Sequence, residues 1–448
     1  MKFSDADGLR VGLWGAGRET ASFAAAAARH LPRCQLAVVA TDAPATAEER
    51  ERMPAGAAFV CGEQAVEALA ACDLVVRSPG ISIHRPEHAA LVARGVTVTT
   101  ATSLWLAEQA GRAVVGVTGT KGKSTTASLI AHLLRAAGAS AELAGNVGRP
   151  VLELLDRPAP DYYVVELSSF QISDLAAGPR VAVFTNLYRE HLDWHGSAER
   201  YAADKLRLAR LEEVETVVAN ARDPRLAGLF ELPKRVLAFG RAPGFEPSAE
   251  GIVREGATVI PAERVPLLGT HNLLNVCAAL AALEALGVEL PDPAAALEGF
   301  EPLPHRLEPV AGTPGPALWV NDSISTTPES TMAALEAFRG RPLIVIAGGF
   351  DRRQDYGELG RALAESARVV IGVPDTGGRI VQAVREAGAS DCRTYEAADL
   401  AEAVAIAARH AGPDSVVLLS PAAPSFGAYR DFEARGRHFR ELALASGG

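Results

Sequence analysis

Cysteine is scarce in this chain, and the five present (Cys34, Cys61, Cys72, Cys277 and Cys392) are scattered, with no CxxC pair. That spacing argues against a zinc ribbon and against a disulfide framework, and it suits a reducing cytoplasm. No apolar run approaches the ~18–20 residues that a membrane span needs, so no membrane insertion is expected. The opening residues, Met1-Lys-Phe-Ser-Asp-Ala-Asp7, lack the apolar core of a signal peptide. Positive charge is in deficit: 44 Lys and Arg stand against 54 Asp and Glu, a formal net charge of −10. This argues against non-specific nucleic-acid binding, and any anionic substrate must be met by a local positive field. Repeats and low-complexity tracts are missing too, apart from an alanine bias that favours helices. What is there is a soluble globular composition, 48% apolar and 22% charged over 448 residues, too long for one ordinary core. Two or three domains are expected.

The most informative stretch is Gly116-Val-Thr-Gly-Thr-Lys-Gly-Lys-Ser-Thr-Thr126. The apolar run Ala113-Val-Val115 leads into it, and Ala127 to Arg135 follows with helical spacing. Strand, glycine turn, helix is the context of a phosphate-binding loop: backbone N–H groups crowd round an anion at a helix N-terminus. Val117 stands where the commonest pattern has glycine, so the loop is a tighter variant, Gly119-Thr-Lys-Gly-Lys-Ser-Thr125. Lys123 is expected to reach the β- and γ-phosphates, and a hydroxyl of Ser124 or Thr125 to hold Mg²⁺. The loop implies a bound nucleoside triphosphate and leaves the reaction open.

The rest of the chain reads as α/β. Leu9 to Trp14 predicts a strand, Gly15-Ala-Gly17 a turn, Thr20 to His30 a helix and Gln35 to Thr41 a second strand ending at Asp42. This imitates a dinucleotide fingerprint, but Thr20 replaces its third glycine, so a nucleotide or phosphate pocket is expected rather than NAD itself. Asp73 to Gly80 predicts a strand with a turn at its carboxyl end, and Val96 to Thr99 another. Further on, Asp161 to Glu166 is an apolar strand ending in an acid, well placed for Mg²⁺ beside a phosphate loop. Val181 to Asn186 is a strand, and Glu190 to His195 a polar loop whose His and acid suit a metal or a phosphate. Lys205, on an amphipathic helix, reads by itself as a solvated lysine. Residues 233–266 predict a small β elaboration, and Gly269 to Asn275 caps a long Ala/Leu helix. From Trp319 onward, strands at 342–349, 369–373 and 415–420 alternate with helices, as in a doubly wound, mostly parallel sheet.

In sequence order, several stretches together resemble the Mur ligases of peptidoglycan precursor synthesis, and among them the glutamate-adding members. They are the phosphate loop, Gly145-Asn-Val-Gly148, Glu166 to Gln171, Glu190-His-Leu-Asp193, Ala203-Asp-Lys205, His271 to Asn275, Leu303-Pro-His-Arg306, Asn321-Asp-Ser323, and Leu419-Ser-Pro421 with Phe432 to Gly436. The resemblance implies three domains: residues 1–110, Rossmann-like, for the UDP substrate; 111–306, a central ATPase; and 307–448, Rossmann-like, for glutamate. It implies an ATP-dependent ligase that joins glutamate to UDP-N-acetylmuramoyl-L-alanine through an acyl phosphate. Lys123, His191 and Lys205 would be catalytic. Gly119, Thr120, Lys121, Gly122, Lys123, Ser124 and Thr125 would bind ATP with Asn272, Asn275, Arg306 and Asp322. Ser124, Glu166, His191 and Lys205 would hold Mg²⁺, Lys205 as a carbamate formed with CO₂. Asp42, Ser78, Gly80 and Asn146 would meet the UDP substrate, and Thr326, Arg352, Ser425 and Phe432 the glutamate.

The amino-acid stretch departs from the D-glutamate pattern. Where those ligases carry a lysine, this chain has Ile324, and Arg352 stands for the usual lysine after the Gly-Gly turn. Losing one cation and replacing another with a planar fork changes how a dicarboxylate is held. This favours L-glutamate, with a separate epimerase acting on the product; D-glutamate is the alternative. A folylpolyglutamate-synthase-like ligase and a catalytically silent Mur-scaffold partner are further readings. The α/β domain ahead of the phosphate loop argues against the first, and the retained Lys123, Glu166, His191 and Lys205 against the second.

Overall fold

Short Val-, Leu- and Ala-rich runs bounded by turn residues become parallel strands, because strands buried on both faces need continuous apolar sequence. The structure, a computed structural model, describes residues 1–146, 148–388 and 391–446. The chain divides into two units: Met1–Val265 with Leu273–Phe300, and Pro266–Asn272 with Glu301–Gly448.

The first unit holds two parallel sheets. One comprises β1 (Arg10–Trp14), β2 (Gln35–Thr41), β3 (Phe59–Cys61), β4 (Leu74–Arg77) and β5 (Thr97–Thr99), in the order β3-β2-β1-β4-β5. The other comprises β6 (Val114–Thr118), β7 (Ala141–Gly145), β8 (Tyr162–Glu166), β9 (Val181–Phe184), β10 (Thr216–Asn220) and β11 (Arg235–Phe239), in the order β11-β10-β9-β6-β8-β7. A continuous apolar core runs through both, from Phe3 to Leu229. The expected small elaboration is an antiparallel sheet of β12 (Glu246–Ser248), β13 (Gly251–Arg254) and β14 (Ala257–Pro261).

In the second unit, β15 (Glu308–Pro309), β16 (Leu318–Asn321), β17 (Leu343–Gly348), β18 (Ala367–Val373), β19 (Arg393–Glu396) and β20 (Val416–Leu419) form a sheet in the order β15-β16-β20-β17-β18-β19. Its pairs are parallel except β15–β16. Where a polar loop was expected at Glu190 to His195, residues Leu192–His195 form a short helix. His191 enters it in the left-handed region at φ 55° and Gly196 ends it at φ 79°, so a single turn closes between them. Among the described residues, no helix is long and apolar enough to cross a membrane.

Candidate functional site

The strand order builds the centre. β6 delivers the phosphate loop and lies between β8 and β9, so the carboxyl ends of both neighbours flank the loop. The loop glycines are forced by crowding. A Cβ on Gly119 would stand 1.8 Å from Thr185 Oγ1, and one on Gly122 would stand 2.4 Å from Asn275 Oδ1. Gly122 takes the left-handed conformation at the N-cap of the helix Lys123–Ala136. The segment after β9 clamps the loop. Thr120 N and Lys121 N both donate to Asn186 Oδ1, at 3.1 and 2.8 Å, and Thr185 Oγ1 donates to Lys121 O at 2.6 Å. Thr120 Oγ1 and the Tyr201 hydroxyl lie 2.7 Å apart. Lys121 pairs with Glu190 at 2.8 Å, and Lys123 Nζ donates to Thr120 O at 2.9 Å. Ser124 and Thr125 are buried in the first helical turn, and Asn275 Oδ1 accepts from Thr126 Oγ1 at 3.3 Å.

Glu166 closes β8, opposite Val117 in the register with β6. It is buried. Asn146 Nδ2 donates to its Oε1 at 2.7 Å, while Oε2 is buried with no hydrogen-bond partner among the described residues. A stranded carboxylate oxygen on a strand flanking a phosphate loop fits a hard divalent cation such as Mg²⁺. The expected solvated lysine is not solvated. Lys205 is 2% exposed, on the same inward face of the helix Ala198–Leu206 as Tyr201 one turn earlier. Its Nζ donates to Gly119 O at 2.9 Å. Burial drives its pKa well below the ordinary lysine value; the charge of Lys123 adds to this, against Glu190 and Glu166. A lowered pKa makes the unprotonated amine more accessible, and that form can attack an electrophile such as CO₂. His191 is exposed, its Nε2 3.6 Å from the Glu190 carboxylate; desolvation by its surroundings lowers its pKa, with Glu190 opposing.

Asn146 thus lies at the centre, whereas Asp42, Ser78 and Gly80, the other predicted substrate residues, follow strands of the β1–β5 sheet. β1 and β4 are neighbours at the point where strand order reverses, and the turns after them meet: Ser78 N donates to Trp14 O at 2.7 Å. Asp42 is exposed and pairs with Arg85 at 2.8 Å. Gly80 O accepts from Trp194 Nε1 at 3.0 Å. Arg77, fully buried, ties this loop to the segment after β8 by donating to Pro79 O at 3.2 Å, Phe170 O at 3.3 Å and the Asp174 carboxylate at 2.9 Å. Asp204, beside Lys205, accepts from His84 Nε2 at 2.9 Å and His195 Nδ1 at 2.6 Å. Local sequence gave no signal for the clamp of Thr185 and Asn186, or for Arg77 and Asp204, because each acts on a residue distant in the chain. Tyr201, one turn before Lys205, was detectable as its helical neighbour.

The second unit carries the remaining predicted residues. Asn272 falls here, with its Nδ2 donating to Leu268 O at 2.7 Å, whereas Asn275 belongs to the first unit. Arg306 is half-buried and follows His305, which takes φ 63°. Asp322 is buried, with Ser420 Oγ donating to Oδ2 at 2.8 Å and Leu307 N to Oδ1 at 3.2 Å. Burial raises its pKa to about 6 against those bonds. Thr326 and Phe432 are half-buried and Ser425 is buried. Arg352 is exposed, its guanidinium 5.7 Å from the Phe426 ring centre.

Residues 20–100 match the MurD-like N-terminal domain of Mur ligases, 117–283 the Mur ligase middle domain, and 305–423 the Mur ligase glutamate ligase domain. A UDP-N-acetylmuramoyl-L-alanine–L-glutamate ligase of Xylella fastidiosa is 43% identical over 99% of this chain and 97% of its own length. The chain belongs to the Mur ligase family. Proteins of the same name from Salinispora tropica, 43% identical, and a Micromonospora species, 44% identical, each align with 100% of this chain and with 100% and 99% of their own lengths. Among solved Mur ligases, the MurC UDP-N-acetylmuramate-alanine ligase of Thermotoga maritima aligns with a TM-score of 0.60 at 20% identity, over 98% of this chain and 100% of that one. MurF ligase of the same organism, solved with ADP, aligns at 0.59 and 17% identity, over 94% and 91%. At those identities the likeness is one of fold.

Proposed function

We propose that this Mur ligase joins L-glutamate to UDP-N-acetylmuramoyl-L-alanine, converting ATP to ADP and phosphate. Residues 1–110 take the UDP substrate, 111–306 ATP and 307–448 glutamate. The observation that carries the reading is that one phosphate loop is flanked by a buried Glu166 oxygen with no hydrogen-bond partner among the described residues, while the buried Lys205 amine donates to the loop at Gly119 O, 2.9 Å away. The substrate carboxylate must attack the γ-phosphoryl group, so two anions have to approach. The loop N–H groups and Lys123 neutralise the phosphates. Ser124 or Thr125, Glu166, His191 and a Lys205 carbamate would hold Mg²⁺, which would supply further neutralising charge. On Lys205 the amine lone pair bonds the carbon of CO₂ and the nitrogen releases a proton, turning a group that repels Mg²⁺ into a carboxylate ligand. The resulting acyl phosphate is attacked by the glutamate amine, and phosphate leaves. Asp42, Ser78, Gly80 and Asn146 hold the UDP substrate; Asn272, Asn275, Arg306 and Asp322 hold ATP. Thr326, Arg352, Ser425 and Phe432 hold glutamate. ATP and a nucleotide-linked substrate place the reaction in the cytoplasm.

The L-configuration is supported by the names of the relatives and by Ile324 and Arg352. The retained Thr326, Ser425 and Phe432 favour a D-glutamate ligase as the second reading. If L is correct, an epimerase acts on the product. The test is phosphate release and product mass with each pure enantiomer. The expected result is a kcat/KM at least about tenfold higher for L-glutamate, roughly 1.4 kcal/mol of discrimination. A preference for the D-enantiomer establishes the second reading, and no release with UDP-N-acetylmuramoyl-L-alanine and either enantiomer rejects both.

A further inference from the structure

The second unit hides a positive charge that the mechanism above does not use. Arg435 lies in the first turn of the helix Phe432–Ala445 and is 3% exposed. Among the described residues it makes no ion pair. Its guanidinium donates to neutral oxygens: Nε to Ser323 Oγ at 3.0 Å, and the two terminal nitrogens to Ala423 O at 3.0 Å and Ser323 O at 2.9 Å. Burial pulls its pKa down to about 10, which leaves it charged at neutral pH. The next residue has to be small for the helix to sit this deep, since a Cβ on Gly436 would stand 2.2 Å from His305 Nδ1.

The position is as telling as the charge. Ser323 follows β16 and Ala423 follows β20. The loop after β17 meets the same place, with Phe350 N donating to Pro424 O at 2.9 Å. These three strands are neighbours in the order β16-β20-β17. Open parallel sheets bind ligands at the carboxyl ends of their strands. A buried ion without a counter-ion is strongly unfavourable, so a fold that keeps one at a binding edge has an anion to meet there. The arginines nearer the surface are occupied or exposed: Arg379 pairs with Asp351 at 2.9 Å, and Arg352 lies against Phe426.

We propose that Arg435 determines amino-acid specificity, its guanidinium supplying from beneath the strand-end loops the fixed positive charge that selects a carboxylate of the incoming glutamate. This rests on the glutamate-ligase reading, and ligation of glutamate by the unaltered enzyme is the control that separates the two. Three variants alter the charge and the hydrogen bonds of this arginine in different proportions; Ser323 Oγ also donates to Phe432 O at 2.8 Å, a bond that Ser323→Asp gives up. Arg435→Gln removes the charge. Ser323→Asp leaves the arginine in place and neutralises it with a built-in carboxylate. Arg435→Lys keeps the charge and loses the planar fork. Each is compared for glutamate, glutamine and isoglutamine, read as substrates or as competing inhibitors; the two amides are near-isosteres that each lack one of glutamate's carboxylates. In the first two variants the preference for glutamate over one of these amides is expected to fall about tenfold or more, with KM for ATP and for the UDP substrate unchanged. The amide affected identifies the carboxylate recognised. Arg435→Lys is expected to retain most of the preference. A purely structural arginine would lower the melting temperature without moving these ratios. A folded Arg435→Gln or Ser323→Asp enzyme with the wild-type preference over both amides overturns the proposal, and Ser323→Asp decides alone if Arg435→Gln does not fold.

Discussion

Lys205 in the first unit and Arg435 in the second are both buried basic side chains, 2% and 3% exposed, and among the described residues neither makes an ion pair. Each donates to neutral oxygens, Lys205 to Gly119 O and Arg435 to Ser323 and Ala423. Their chemistry diverges because burial acts on different side chains. A lysine relieves the penalty by giving up its proton and thereby becomes a nucleophile. An arginine cannot do so near neutral pH and remains a fixed charge. In the proposed reaction the first becomes a metal ligand and the second a determinant of which amino acid enters.

The sharpest way to break that contrast is to exchange the behaviours. Lys205→Arg puts a permanent cation where a titratable one stands, and Lys205→Ala removes the group. Both are expected to lose on the order of 10³-fold or more in turnover, since the proposed reaction would lose a ligand to the Mg²⁺ that stabilises the transferring phosphoryl group. Acetate or another short carboxylate is expected to restore part of the alanine variant's activity and none of the arginine variant's. Carbon-13 NMR with labelled bicarbonate should show a carbamate in the wild type alone. Full activity of Lys205→Ala, with an unmodified lysine in the wild type under saturating CO₂, would remove Lys205 from the mechanism.

A smaller effect is expected at Lys123. Its charge is one of the influences that hold Lys205 below its ordinary pKa, after burial itself. Lys123→Ala therefore takes away the phosphate-loop cation and also relaxes the pressure on Lys205 to stay neutral. Turnover is expected to fall about 10²-fold with the fold intact by circular dichroism, comparable to losing one preorganised donor to a transition-state oxyanion. Near wild-type turnover would overturn the role given to the phosphate loop.

What could be read from the sequence followed how local each cause is. The phosphate loop was legible because its turn, its glycines and its helix are contiguous, and Glu166 because an acid at the end of an apolar strand stands out. Ile324 and Arg352 were legible as departures only against the family pattern. The burial of Lys205 was visible in retrospect through Tyr201, which shares its helix face, but a lysine at that register ordinarily points to water. The clamp of Thr185 and Asn186 depends on β9 lying beside β6, which chain order does not reveal. Arg435 was equally hidden: its partners Ser323 and Ala423 converge on it only once β16 and β20 pair.

The finest test asks whether the second unit tunes charge by burial as the first does. Asp322 is the group to use, because it is buried, titratable and opposite in sign to Lys205. Burial raises its pKa to about 6, against the bonds from Ser420 and Leu307 and the charge of Arg306. A free aspartate titrates near 3.9, so the folded state holds this proton more tightly than the unfolded state. Between about pH 4 and 6 the folded protein binds a proton that the unfolded chain has lost, so this group's contribution to stability falls as pH rises through that window and is level above it. Asp322→Asn removes the titration while its amide oxygen can still accept from Leu307 N. The melting temperature of the variant minus that of the wild type is expected to rise by a few degrees from about pH 4.5 to 6.5 and then to flatten, corresponding to roughly 1–3 kcal/mol. Other titrating carboxylates cancel in the difference. Parallel curves for the two proteins would show that Asp322 stays ionised throughout, and that the second unit, unlike the pocket around Lys205, tolerates its buried charges without shifting them.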